Sequence, residues 1–329
     1  MDGLASIIIV TYNSKKYMEN CINSIQGQDY PYEIIVVDNA SSDGIVQFIR
    51  EKYPNIKIVE NNKNKGYGAG NNIGAKNAKG EYLVILNPDT IVEKNWLREL
   101  ISPIQKSDKL ITTPKILIYD GSAINTCGNI NHFTGLTFTR GLGEKPDSYP
   151  NEEFVSGISG CCFAIRKEDF DEIGGFDENF FIYNEDSDLS WRAHLKGFKI
   201  LYVPKSIIRH DYQLKVEPEK ICHLEKNRYL ILRKYFSLKD LLILFPSLLM
   251  AEVLTWGYSI KNGWIGIKCK LKAIDGLIMK VKKENGNKNN LFKILSTNIP
   301  VEQLTSNRIE KIIKFLANKI FILNYKVVG

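Results

Sequence analysis

Six cysteines in 329 residues (21, 127, 161, 162, 222 and 269) form no C-x-x-C pair and follow no regular spacing. Adjacent Cys161 and Cys162 are poorly placed to bridge each other, so reduced thiols are expected rather than a disulfide framework. The opening M-D-G-L-A-S-I-I-I-V carries an acid where an export leader needs a base, and its apolar run is only strand-length; a cytoplasmic chain is expected. No apolar stretch reaches the ~20 residues of a spanning helix. The nearest, L-L-I-L-F-P-S-L-L-M-A-E-V-L-T-W-G-Y within Lys239–Tyr258, is interrupted by Pro246 and Glu252. No G-K-[ST] is present, which excludes a P-loop. The glycine-rich segment at 62–80 (N-K-N-K-G-Y-G-A-G-N-N-I-G-A-K-N-A-K-G) follows Val59 by several polar residues, and the first crossover lacks a glycine triplet, so it is a poor dinucleotide fingerprint. Excess basic charge is missing from most of the chain as well. Residues 1–258 hold 30 Lys+Arg against 33 Asp+Glu, a net −3, whereas 259–329 hold 14 against 4, a net +10. That split argues for an anionic surface touched by the C-terminal region alone, and no nucleic-acid partner is expected.

What is present is a regular alternation. Ser6–Tyr12 (S-I-I-I-V-T-Y), Glu33–Asp38 (E-I-I-V-V-D), Ile56–Val59 and Tyr82–Leu86 are short apolar runs without polar alternation, as in strands buried on both faces. Between them, helical spacing appears over Lys15–Gln26 after Asn13-Ser14, over Ile45–Tyr53, and in the second half of 62–80. Strand and helix in turn predict right-handed βαβ units and a parallel sheet. At this length one large domain plus an appendage is expected. Thr112–Phe154 reads as irregular or antiparallel, with a mobile surface loop at Gly141–Asn151. Regularity returns with a strand over Val155–Arg166, whose Gly157 and Gly160 permit close approach by a ligand. A short helix at Lys167–Ile173, a helix behind Asn184 ending near Lys196-Gly197, and a strand at Ile200–Val203 complete the pattern.

Three carboxylates stand where chemistry could use them. The run E-Y-L-V-I-L-N-P-D-T stops at Asn87-Pro88 and delivers Asp89 just past the carboxyl end of a central strand, where open α/β sheets bind ligands. There it could grip a divalent cation and through it a diphosphate, or simply cap a helix over Ile91–Gln105. Asp38 repeats the geometry, suited to a pyrimidine N–H or a ribose hydroxyl, or to an Asx-turn. In F-I-Y-N-E-D-S-D-L-S-W-R at 181–192, acids 185, 186 and 188 fill a first helical turn. Backbone N–H groups favour an ionised base there, and also favour ordinary helix design. His210, in I-I-R-H-D, is either structural or a metal ligand.

Taken together and in order, S-I-I-I-V-T-Y-N at 6–13, V-V-D-N-A-S-S-D-G at 36–44, N-K-G-Y-G-A-G-N-N-I-G at 64–74 with L-N-P-D-T at 86–90, and the 181–192 segment resemble the family 2 inverting glycosyltransferases, and most of all their rhamnosyltransferase-like branch. The likeness covers residues 5–212. It implies an α/β GT-A fold over 1–215 and a helical C-terminal region over 216–329. It implies Asp38 as the reader of the base, with Thr11, Tyr12, Asn13, Gly66, Asn72 and Asn87 lining the nucleotide pocket. Asp89 corresponds to the surviving acid of a D-x-D metal motif in which Asn87 replaces the first aspartate, and His210 to the late histidine that completes Mg2+ or Mn2+ binding. Asp186 corresponds to the catalytic base, with Gly160, Glu185, Trp191 and Arg192 near the acceptor or sugar. The resemblance implies transfer from a nucleotide-diphosphate sugar (dTDP-rhamnose or a UDP-sugar) to a saccharide or lipid-linked acceptor in cell-surface polysaccharide or glycan synthesis. A non-catalytic sugar-nucleotide or glycan-binding scaffold of the same fold is the rival. A nucleotidyltransferase is disfavoured, because no basic glycine-rich loop follows the first strand.

For the C-terminal region, Lys239–Tyr258 followed by a lysine-rich tail fits a monotopic helix in a membrane interface, with a buried subdomain or dimer face as the alternative. A peripheral position on the inner face of the cell membrane follows from that reading.

Overall fold

The unalternated apolar runs become strands with both faces covered. The computed structural model describes residues 3–211, 218–303 and 307–327. In order, the elements are β1 (Ala5–Thr11), α1 (Lys15–Ile25), β2 (Tyr32–Asp38), α2 (Ile45–Lys52), β3 (Lys57–Glu60), α3 (Tyr67–Asn77), β4 (Tyr82–Leu86), β5 (Thr90–Val92) and α4 (Trp96–Gln105). There follow β6 (Leu110–Ile118), β7 (Ile124–Thr126), β8 (Asn129–Asn131), β9 (Thr137–Thr139), β10 (Glu153–Phe154), β11 (Cys162–Arg166), α5 (Lys167–Ile173), α6 (Glu185–Leu195) and β12 (Lys199–His210). Parallel pairing places β1 between β2 and β4, with β3 beyond β2. The whole sheet runs β10-β12-β6-β11-β4-β1-β2-β3, with β5 on β12 and β7 on β6.

Successive strand residues serve opposite layers. Ile7, Ile9, Val36, Val84 and Leu86 pack with residues of α1, α2 and α4. Ile8, Val10, Ile35, Val37, Leu83 and Ile85 pack with residues of α3, α5 and α6. Each such side chain, fully buried, contributes about 1.5–3 kcal/mol, which is why neither face tolerates a polar alternation. The glycines of 62–80 serve this packing: a Cβ on Gly70 would strike Val10, and one on Gly74 would strike Ile8, so α3 lies close against the sheet.

The central sheet is mainly parallel, as expected, with β11 entering antiparallel to β4 and β6. Other expectations need correction. Thr90–Val92 is a strand on β12, so the helix expected from Ile91 begins only at Trp96. The region from Thr112, expected to be irregular or antiparallel, does contain the antiparallel pair β6–β7, but it opens with the long strand β6, hidden by T-T-P-K; Pro114 sits past the single β11 pairing at Thr112, so its missing N–H leaves no ladder bond open on that side. Of the strand expected over Val155–Arg166, only 162–166 is regular. Residues 141–151 are fastened rather than loose: buried Lys115 donates to the carbonyls of Pro146 (2.8 Å) and Ser148 (2.9 Å), and Tyr202 to that of Tyr149 (3.0 Å).

The chain divides into two compact units, one of Met1–Asn129, Thr139–Ala193 and Gly197–Tyr212, the other of Ile130–Phe138, His194–Lys196 and Gln213–Gly329. The boundary expected between 215 and 216 lies outside the described residues. The second unit holds α7 (Pro218–Tyr235), α8 (Leu238–Ile243), α9 (Phe245–Lys261), α10 (Gly263–Lys272), α11 (Asp275–Ile278), α12 (Lys288–Phe292) and α13 (Arg308–Tyr325). The apolar stretch from 239 is thus two helices, with Pro246 in the first turn of α9 where its absent N–H costs nothing. Cys222 and Cys269 are disulfide-bonded, tying α7 to α10 and correcting the expectation of six reduced thiols; Cys21, Cys127, Cys161 and Cys162 are free and buried. Beside the bridge, Arg228 and Lys270 are buried against Glu225 and Glu252, two cations balanced by two carboxylates. No helix among the described residues is long and apolar enough to cross a membrane.

Candidate functional site

The carboxyl ends of β2, β1 and β4, three neighbouring strands, carry polar side chains that the protein itself does not satisfy. Thr11 ends β1 in register with Asp38 at the end of β2. Thr11 Oγ1 and Asp38 Oδ1 are buried with no hydrogen-bond partner. The other oxygen of Asp38 accepts from Ser41 N (3.0 Å), which fixes the carboxylate's rotation. Past β4, Asn87 Oδ1 and Asp89 Oδ1 are likewise buried without a hydrogen-bond partner. Buried polar atoms are rarely left so, and here they converge on the end of the sheet where ligands bind.

One imidazole stands close to Asp89. His210, at the end of β12 and 7% exposed, places Nε2 3.3 Å from Asp89 Oδ1, without hydrogen-bond geometry. The other ring nitrogen, Nδ1, lies 3.2 Å from Asn125 Oδ1. With Nδ1–H donating to that amide oxygen, Nε2 presents a lone pair toward a carboxylate oxygen. Two lone-pair atoms at 3.3 Å suit a shared cation. Among the described residues no group of three or more His, Cys, Asp or Glu side chains could hold a metal alone. The residues therefore fit an ion that takes one carboxylate and one imidazole from the protein and its remaining ligands from phosphate and water.

The second acid arrives on α6. Gly160 N (2.9 Å) and Asn129 Nδ2 (3.0 Å) donate to Asp186 Oδ2, and Ser187 N (2.8 Å) donates to Oδ1. Asp186 is half-buried and held at both oxygens. A Cβ on Gly160 would stand 3.3 Å from Asp186 Oδ2, so a glycine lets the acid come this near the strand. Tyr67 braces the same glycine by donating to its carbonyl. Next to Asp186, Glu185 is 6% exposed and its Oε2 has no hydrogen-bond partner. Burial first, then the Asp186 charge, pushes the Glu185 carboxyl up to about 8. The turn before α6 holds Tyr183 (φ 65°) and Asn184 (φ 63°) in the left-handed region, at a cost on the order of 1–3 kcal/mol each.

Asp89 and Asp186 lie toward the same end of the sheet. Asn87 N donates to Cys161 O (2.9 Å), and the residue before Cys161 is the glycine that binds Asp186. The other expected residues are held in different ways. Tyr12 is exposed beside this end of β1, whereas Asn13 is engaged with the 41–42 turn, its Oδ1 accepting from Ser42 N (2.8 Å) and its N–H donating to Ser41 Oγ (2.9 Å). Gly66 is pressed against Phe181, and Asn72 clasps both backbone groups of Phe176 (2.8 and 2.9 Å). Trp191 and Arg192 are buried in the interior; Arg192 is spent on Asp188 (2.9 Å) and the Ile173 carbonyl (3.0 Å), so neither is placed to meet an acceptor as expected. Asn125, Asn129 and Tyr67 went unnoticed in the sequence. Each acts through a single hydrogen bond across the fold, which no local pattern signals.

Comparison with known proteins agrees with this geometry. Residues 147–216 match the N-terminal domain of galactosyltransferase. The chain is 30% identical over 244 residues to the low-salt glycan biosynthesis hexosyltransferase Agl10 of Haloferax volcanii, covering 70% of this chain and 76% of that protein. It is 25% identical over 260 residues to the N-acetylglucosaminyl-diphospho-decaprenol L-rhamnosyltransferase of Mycobacterium tuberculosis, covering 70% and 85%. The crystal structure of GalNAc-T7 with UDP, GalNAc and Mn2+ shares the fold, with a TM-score of 0.60 at 22% identity over 85% of this chain and 55% of that one. Residues 6–174 match the glycosyl transferase family 2 description, and the chain belongs to that family.

Proposed function

We propose that this chain is an inverting hexosyltransferase that moves a sugar from a nucleotide diphosphate, dTDP-rhamnose or a UDP-sugar, to a hydroxyl of a saccharide or lipid-linked acceptor in cell-surface polysaccharide or glycan synthesis. The observation that carries this reading is the set of buried, unsatisfied oxygens of Thr11, Asp38, Asn87 and Asp89 along three adjacent strand ends, with Asp186 held beside them. Asp38 Oδ1 and Thr11 Oγ1 are suited to N–H and hydroxyl groups of the nucleoside, with Tyr12 exposed alongside. Asp89 and His210 would hold Mg2+ or Mn2+, as the Mn2+ bound in GalNAc-T7 supports. When bound, that ion neutralises charge on the departing diphosphate. Asp186 takes the proton of the acceptor hydroxyl as its oxygen bonds to the anomeric carbon. The bond from that carbon to the phosphate oxygen breaks on the opposite face, so configuration inverts and no enzyme nucleophile is required. The names of the two relatives support a hexose donor and a diphospho-polyprenol acceptor.

Residues 1–215 would carry the catalysis. Residues 216–329 would hold the enzyme at an anionic membrane surface, peripheral on the inner face, where a lipid-linked acceptor is presented. The test is a panel of sugar nucleotides offered with Mn2+ or Mg2+ and a lipid-linked or saccharide acceptor, the anomeric configuration of the product being read by NMR. Product of inverted configuration is expected, and its formation should stop on chelation. Donor binding without turnover on any acceptor would instead favour the non-catalytic scaffold.

A further inference from the structure

The exposed side of a helix in a water-soluble unit normally carries its charges. In the second unit this is reversed. The exposed residues of α9 are Phe245, Pro246, Leu249, Val253, Gly257 and Ile260, and no charge appears until Lys261 at its end. Leu249, Val253 and Ile260 are 52%, 54% and 59% exposed. α13 behaves in the same way: Ile309, Ile312, Ile313, Leu316 and Leu323 are exposed along it, with Arg308 at its start and Lys319 as its exposed charges and Lys326 just past its end. The two helices are neighbours and antiparallel, since Ser247 Oγ donates to Asn324 Oδ1 (2.6 Å) near one end and Lys261 pairs with Glu310 (2.9 Å) near the other. By contrast, the first unit exposes only Tyr12, Tyr119, Phe154 and Phe181 as large apolar side chains among the described residues. Patches of this kind mark an interaction surface rather than ordinary exposure.

We propose that the antiparallel pair α9–α13 is a lipid-inserting platform, its apolar sides lying in the plane of an anionic membrane surface and its lysines reaching the head groups. This rests on the membrane part of the function proposed above and assigns it to particular residues, which differ from the lysine tail alone. Charge selects the occupant. Residues 259–329 carry a net +10, so a second copy of this chain would bring like charges together, whereas anionic lipid is attracted at about 1 kcal/mol per basic residue near the surface.

The test is flotation of the full chain with vesicles of phosphatidylglycerol and phosphatidylcholine in equal parts, and with phosphatidylcholine alone. Burying one CH2 group in lipid is worth about fourfold in partitioning. The pair Leu249→Glu with Val253→Glu on α9, and separately Ile312→Glu with Leu316→Glu on α13, should each lower binding to anionic vesicles about tenfold or more. Phe154→Glu in the first unit should leave binding unchanged. Unaltered thermal unfolding of the variants shows that they fold. Flotation that survives either pair would overturn the two-helix platform. So would a dimer seen by light scattering without vesicles and dissolved by the α9 pair, since it would give the face to a second copy. Failure of the unmodified chain to float would remove membrane docking altogether, while sugar transfer to a soluble acceptor, assayed on the same samples, stands or falls separately.

Discussion

Replacing Asp186 with asparagine separates the chemistry from the scaffold, because the structure shows what each oxygen does. Oδ2 accepts from Gly160 N and Asn129 Nδ2, and Oδ1 accepts from Ser187 N. An amide offers one oxygen, so whichever way it turns its NH2 faces a backbone N–H. One half-buried donor is then left unmatched, at about 1–3 kcal/mol, with the unfolding midpoint moving by about 2–4 °C per kcal/mol. The loss of proton acceptance is larger in effect: a positioned general base contributes roughly 10²- to 10⁴-fold in rate. Asp186→Asn should therefore be slightly less stable, bind the nucleotide sugar with unchanged Kd by calorimetry, and transfer sugar at least about a hundredfold more slowly at saturating donor and acceptor. Donor binding in the variant guards against mistaking unfolding for lost catalysis. Transfer at the unmodified rate would refute the assignment of Asp186 as base.

Glu185, pushed up to about 8, keeps a proton in the folded chain at pH values where an unfolded glutamate has lost it. Stability should thus fall as pH rises from about 4.5 to about 8 and level off above. Glu185→Gln should remove that slope and gain up to about 3–5 kcal/mol at pH 8 with no gain near pH 4, as urea titrations at both values would show; parallel curves would count against it. Asn125→Leu removes the hydrogen bond at His210 Nδ1 and should weaken Mn2+ activation roughly 10- to 100-fold in a titration of chelator-treated enzyme, an unchanged half-saturation refuting the positioning role. The Cys222–Cys269 bond closes a sequence separation of 47, worth about 4 kcal/mol by loop-closure entropy. Dithiothreitol should accordingly lower the unfolding midpoint of the C-terminal unit, and thiol titration of the denatured chain should rise from four to six.

Where one element's residues decide its form, the sequence could be read. Tyr82–Leu86 and Lys167–Ile173 appear at the expected bounds, and β1, β2 and α1 within a residue or so, because a continuous apolar run or a 3.6-residue period is a local property. β6 was missed because its polar threonines and lysine are satisfied by distant groups: Thr112 by the Leu100 carbonyl (2.7 Å), Thr113 by that of Cys162 (3.1 Å), Lys115 by the 146–148 turn. The disulfide escaped for a similar reason. Residues 222 and 269 meet only once α7 and α10 have packed, with Cα atoms 4.4 Å apart. Within the site, the positions of Asp38, Asp89 and Asp186 could be read from strand ends and a helix start. Arg192 could not, since four-residue spacing from Asp188 buries it as an ion pair rather than offering it to a ligand.

The feature that sequence periodicity left out, the reversal of β11, is what brings the two acids together. In a wholly parallel sheet, the residues that lead into a strand beside β4 would lie at its amino end, far from Asp89. Because β11 runs antiparallel, with Cys162 opposite Leu86, residues 160 and 161 instead lie across the carboxyl end of β4. Cys161 then accepts from Asn87 N, and Gly160 turns its own N–H to Asp186. The placing of Asp89 relative to Asp186 is thereby set by strand register and by one residue without a side chain. Gly160→Ala, which would place a Cβ 3.3 Å from Asp186 Oδ2, should displace the base by a few tenths of an ångström without touching donor or metal. Misplacement of a reacting group by 1 Å can cost about a hundredfold. The alanine variant should therefore lose a measurable part of kcat while keeping donor Kd and the metal requirement, and a kcat equal to that of the unmodified enzyme would show that this contact does not set the geometry.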